Sequence, residues 1–142
     1  MHYSPILAPV VALVAWTLVM LVWMAIARRR AFAKLGISWE SIPRGSRGVN
    51  LDGRAPDEAQ WPSHNYNHLM EQPTVFYAAV FILALSGYPA WVVWVAWLYV
   101  LVRIAHSVWQ ATVNRQPVRL YLYLVSSLVL GVIAVQALLA TL

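Results

Sequence analysis

The sequence predicts an all-α integral membrane protein, a bundle of four transmembrane helices forming one domain over residues 1–142. Three observations carry this. Hydrophobic residues make up 61% of the chain and charged residues only 11%, whereas charge is about a quarter of an ordinary soluble domain. Four stretches are long enough to cross a bilayer, each needing about 20 mostly apolar residues. Nine of the ten Lys and Arg residues fall in or beside two of the connections, and the tenth, Arg103, lies well inside a span. There are no cysteines, which excludes a disulfide framework, a thiolate metal site and a catalytic thiol.

The first span is "SPILAPVVALVAWTLVMLVWMAIA", residues 4–27. It has no basic segment before it, its apolar core is too long for a cleaved signal, and Arg28, Arg29 and Arg30 follow it. That is the pattern of a retained anchor. Residues 28–62 read as one polar connection rich in Gly, Pro, Ser and Arg. The second span covers 64–86, and "GYP" at 87–89 is a tight turn. The third covers 89–112, which makes spans two and three a helical hairpin. "NRQP" at 114–117 is the next turn, and Pro117 suits a helix start. The fourth span covers 117–141.

The charges set the topology. The first connection holds Arg28, Arg29, Arg30, Lys34, Arg44, Arg47 and Arg54, and the third is bounded by Arg115 and Arg119. The second turn and both ends of the chain carry no Lys or Arg. The positive-inside rule then places both basic connections in the cytoplasm and both termini on the other side. A bacterial inner membrane is the simplest setting, with no organelle signal visible. The net charge of +5 is thereby read as orientation and lipid-headgroup contact rather than nucleic-acid binding.

Polar residues inside the spans fall on helical stripes. His64, Asn67 or His68, and Glu71 form one. Arg103, His106 or Ser107, Gln110 and Asn114 form a second. Arg119, Tyr123 and Ser127 form a third. At 1.5 Å per residue, Glu71 and Arg103 both lie roughly 12–14 Å from the cytoplasmic ends of their spans. An unpaired charge at that depth is costly, so a buried Glu71–Arg103 pair or a shared wet cavity is expected. The other half of the bundle has almost nothing polar beyond Gln136. The stripes therefore describe a pocket open to the cytoplasm, not a pore. Each has a plainer reading. Asn, Ser and Gln in membrane helices often join helices, and a Glu–Arg pair can simply fix a bundle. His64, His68 and Glu71 contain a metal-ligand set. They lie near the interface, where solvated histidines are ordinary, and no metal is expected. Trp61, Trp91 and Trp109 read as interfacial belt residues. Pro73 removes a helical hydrogen bond to the carbonyl of Leu69, so a local kink is expected at the pocket.

Taken together, these features resemble the MAPEG family, the membrane-associated proteins in eicosanoid and glutathione metabolism. The resemblance spans essentially the whole chain. Its most specific part is "RIAHSVWQATVNRQPVRLYLY", residues 103–123. There Arg103, His106, Arg115, Pro117, Arg119 and Tyr123 match the family's prostaglandin synthase members without a gap. "RRRAFAK" at 28–34 resembles the basic end of the family's first helix, and "NHLMEQP" at 67–73 its Asn-x-x-Glu-x-x-Pro motif with altered spacing. In that register His68 takes the usual asparagine position. The resemblance implies a homotrimer in contact with membrane lipids, binding glutathione near the cytoplasmic face, with a lipophilic electrophile entering from the bilayer. It implies Arg119 as the catalytic residue at the sulfur. Glu71, Asn67, His68, Arg103, His106, Arg115 and Tyr123 would then contribute to glutathione binding, Glu71 through the ammonium and Arg115 through the carboxylates. The chain also departs from the family. Gln110 stands where glutathione-active relatives carry tyrosine, Leu120 replaces a serine, Ile26 a basic residue of helix one, and His64 an arginine. Two classes therefore stay open: a glutathione-dependent transferase or peroxidase, and a non-catalytic lipid-binding or scaffolding member of the same fold.

Overall fold

The computed structural model of the protein describes residues 4–45 and 56–142. Arg47 and Arg54 lie outside the described residues. Among the described residues there are four helices, α1 (Leu7–Leu35), α2 (Asp57–Ser86), α3 (Trp91–Thr112) and α4 (Gln116–Leu139), with a short 3-10 turn at Trp39–Ser41. Each is long and apolar enough to cross a membrane. The chain is an integral, multi-pass membrane protein.

The spans expected from the apolar runs are cut differently at the basic side. The helix α1 continues eight residues beyond Ala27, and α2 begins at Asp57 rather than near His64. Much of the connection expected over 28–62 is therefore helical. The physical reason is local. "RRRAFAKL" after Ala27 consists almost wholly of strong helix formers, so loss of hydrophobicity does not end the helix. What ends it is Gly36, at φ 64°, where the backbone turns left-handed. The Ile37 amide then donates to the Phe32 carbonyl at 3.0 Å. At the start of α2, Asp57 and Glu58 occupy the first turn, where carboxylates oppose the positive helix end. At 29 and 30 residues, α1 and α2 are each about 45 Å long, against a hydrocarbon core of about 30 Å. Both thus extend beyond the bilayer at the basic end. Pro62 and Pro73 sit within α2 and are buried, and the helix runs through both.

The helix α1 packs on α2 and α3, and α4 packs on α3 and α2. The half of the bundle away from the basic connections is closed by apolar side chains, among them Leu13, Val80, Leu83, Val92, Ala96 and Ile133. Phe76 stacks on Tyr99 with ring centroids 4.4 Å apart. At that end, Tyr88 in the α2–α3 turn shares a 2.9 Å hydrogen bond with the Ser4 hydroxyl and accepts from the Ile6 amide at 3.4 Å. Many large apolar side chains, such as Val11, Leu18, Phe81, Trp94 and Leu128, are exposed. On a membrane protein these are the surfaces that face lipid or another subunit.

Candidate functional site

The site is built outward from α3. Tyr99, Arg103, His106, Ser107 and Gln110 are all buried along one stripe of that helix. Arg103 is only 1% exposed. Its Nε–H donates to the Tyr99 hydroxyl at 3.3 Å. Its guanidinium carbon lies 5.9 Å from the Tyr99 ring centroid and 5.6 Å from that of Tyr123, within cation–π range. One terminal nitrogen has no hydrogen-bond partner. Among the described residues no carboxylate lies within ion-pair distance of it.

The expected Glu71–Arg103 pair is therefore not formed. Glu71 lies 3.5 Å from Nδ1 of His68, an ion pair when that ring is protonated, and its side chain is 67% exposed. Helix geometry explains the difference. The buried face of α2 runs through Leu69, Pro73 and Phe76. At about 100° per residue, Glu71 projects almost opposite to Leu69 and Pro73. A matched count of residues from the span ends does not bring the two charges together, because Glu71 points away from the packed face.

Several of the expected residues do meet. The rings of His68 and His106 make an edge contact with centroids 6.1 Å apart. His106 and Tyr123 follow at 6.3 Å. Glu71, His68, His106, Tyr123 and Arg103 thus form a continuous series across α2, α3 and α4. Arg119 also lies within electrostatic range of both histidines. Its guanidinium is held at the α3–α4 turn by the Asn114 side-chain oxygen at 2.8 Å and the Gln116 side-chain oxygen at 2.9 Å. Asn114 is the residue that makes this turn, at φ 52°. Two expected residues stand apart. Asn67 is exposed on the outer face of α2. Arg115 is exposed, and its carbonyl accepts from the Trp109 ring N–H at 3.2 Å.

Two interior networks were not anticipated. In the first, Gln72 donates to Ser127 at 2.7 Å and accepts from Ser126 at 3.3 Å and from Tyr99 at 3.5 Å. This extends the Arg103–Tyr99 contact to α4. In the second, Ser107 accepts from the Trp16 ring N–H at 2.9 Å and from Asn65 at 2.5 Å, joining α1, α2 and α3. The signals were present: Tyr99 stands one turn before Arg103, and Asn65 and Gln72 share a face of α2, seven residues apart. They were masked by the more conspicuous charges beside them. Among the described residues, no three His, Asp or Glu side chains gather as a metal cage.

Four apolar helices around a polar interior confined to one end define a four-helix membrane protein of a known architectural class. The chain belongs to the MAPEG family, whose model matches residues 6–139. This makes it a membrane protein of the group named for eicosanoid and glutathione metabolism. No curated protein and no solved structure matches it significantly.

Proposed function

We propose that the protein is a glutathione-dependent transferase or peroxidase acting on lipophilic electrophiles. The observation that carries this reading is the unbalanced positive charge of the interior: Arg103 is buried without a carboxylate, and Arg119 stands nearby at the turn. A buried cation without an internal carboxylate is costly and suits an anionic guest. Glutathione supplies the nucleophile, a thiolate, and two carboxylates. Arg119 stabilises the thiolate over the thiol by direct charge. His106, Tyr123 and Arg103 receive the carboxylates and Glu71 meets the ammonium beside His68, while Arg115 and Asn67, which stand apart in the single subunit, join the site across the trimer interface. In the transfer, the sulfur–carbon bond forms as the leaving group departs with its electron pair. The electrophile reaches the site laterally from the bilayer.

Assembly is part of the same proposal. Asn67 and Glu71 are exposed on one face of α2 in the single subunit. Polar groups at membrane depth do not face lipid, and a homotrimer would cover them. The charge bias supports a cytoplasmic position for this end, most simply at a bacterial inner membrane, with the beginning of α1 and the end of α4 on the far side. Gln110 favours a second reading. It is 1% exposed with its side-chain oxygen unpartnered, and no hydroxyl stands there to assist a thiol. That suits a non-catalytic member that binds lipid or scaffolds other proteins. Thermal unfolding in detergent with increasing glutathione separates the two, since a ligand of the folded state raises Tm with concentration. A dose-dependent rise is expected. No rise at millimolar glutathione would favour the non-catalytic reading.

A further inference from the structure

A second site lies on the other side of the basic end. Between the end of α1 and the start of α2 is an open groove of about 280 Å³. Its α1 wall is Trp23, Ala27, Arg30 and Lys34, one stripe at i, i+4, i+7 and i+11. Its opposite wall includes Glu58, Ala59 and Pro62 of α2. The floor is small and apolar, and the charges stand at one end. Among the described residues, no ion pair joins Glu58 to Arg30 or Lys34. Two cations and one carboxylate thus face a common groove without neutralising one another.

The position along the membrane normal identifies what can fill it. Arg28–Arg30 mark the end of the apolar run of α1. Trp23 lies about 10 Å deeper than Arg30 along the helix, by the rise of 1.5 Å per residue, and tryptophan favours the interfacial layer. The groove therefore begins at ester-and-acyl depth and ends among headgroups. From the groove we infer a site for a single aminophospholipid, one carrying phosphate and a primary ammonium. Arg30 and Lys34 take the phosphate, Glu58 takes the ammonium, and Trp23, Ala27 and Pro62 hold the glycerol and upper acyl chain. The carboxylate is the discriminating element. A purely anionic headgroup meets it with repulsion, and a choline headgroup offers it no N–H donor. The site is independent of any thiol chemistry at Arg119.

The test uses the full chain in detergent, titrated with short-chain phosphatidylethanolamine, phosphatidylcholine or phosphatidylglycerol, with Tm as readout. Phosphatidylethanolamine is expected to raise Tm at the lowest concentration. Glu58→Gln is expected to raise the required phosphatidylethanolamine concentration about tenfold, the loss of one charge-assisted hydrogen bond, while leaving phosphatidylcholine unaffected. Lys34→Gln is expected to weaken all three lipids. Equal response to ethanolamine and choline lipids, a preference for phosphatidylglycerol, or a Glu58→Gln variant with unchanged selectivity would each overturn the assignment.

Discussion

Ser107 accepts hydrogen bonds from Trp16 and Asn65 at once, so one hydroxyl holds three helices together. Ser107→Ala leaves both donors without an acceptor in a region that excludes water. Each orphaned buried donor costs about 1–3 kcal/mol, so a clear fall in Tm is expected without change in helical content. An unchanged Tm would show that the node is incidental. At this scale the sequence offered a depth and no direction. Counting residues from the span ends predicted one level for Glu71 and Arg103. It did not show that Glu71 projects away from the face carrying Leu69 and Pro73. Nor did it show that the partners of Arg103 are aromatic rings rather than an acid. Direction depends on which face each helix buries, and in a helix apolar on most sides that face is set by its neighbours.

The same distinction holds for whole elements. The four helices and the 87–89 and 114–117 turns follow from apolar runs and turn residues, because the bilayer fixes the minimum length of a span. The ends of α1 and α2 did not follow, since hydrophobicity marks where a helix leaves the membrane, not where it stops being a helix. Gly36 performs the latter task at φ 64°. A side chain there meets no atom within 4 Å, so Gly36→Ala tests the backbone alone. A left-handed non-glycine residue costs about 1–2 kcal/mol. Gly36→Ala should therefore lower Tm modestly, and Gly36→Asn less, because asparagine tolerates that conformation better. Equal and negligible effects would mean that the stop lies elsewhere. The extended ends carry the inferred lipid site: they place Arg30, Lys34 and Glu58 around one groove.

For the whole molecule, the polar outer face on α2 is what the proposed homotrimer would cover. Light scattering in detergent, corrected for bound detergent, should give three times the mass of one chain. A monomeric mass would leave Asn67 and Glu71 exposed to lipid and contradict the proposed arrangement. The central claim, however, concerns charge in the interior. If the cluster around Arg103 and Arg119 receives glutathione, the bound thiol is ionised at neutral pH, where free thiol is mostly protonated. The thiolate absorbs in the ultraviolet, so the direct measurement is a difference spectrum on adding glutathione to the purified protein. The account predicts a saturable thiolate band in the unmutated protein, lost in Arg119→Ala while the trimer mass is retained. No thiolate band in the unmutated protein would contradict it.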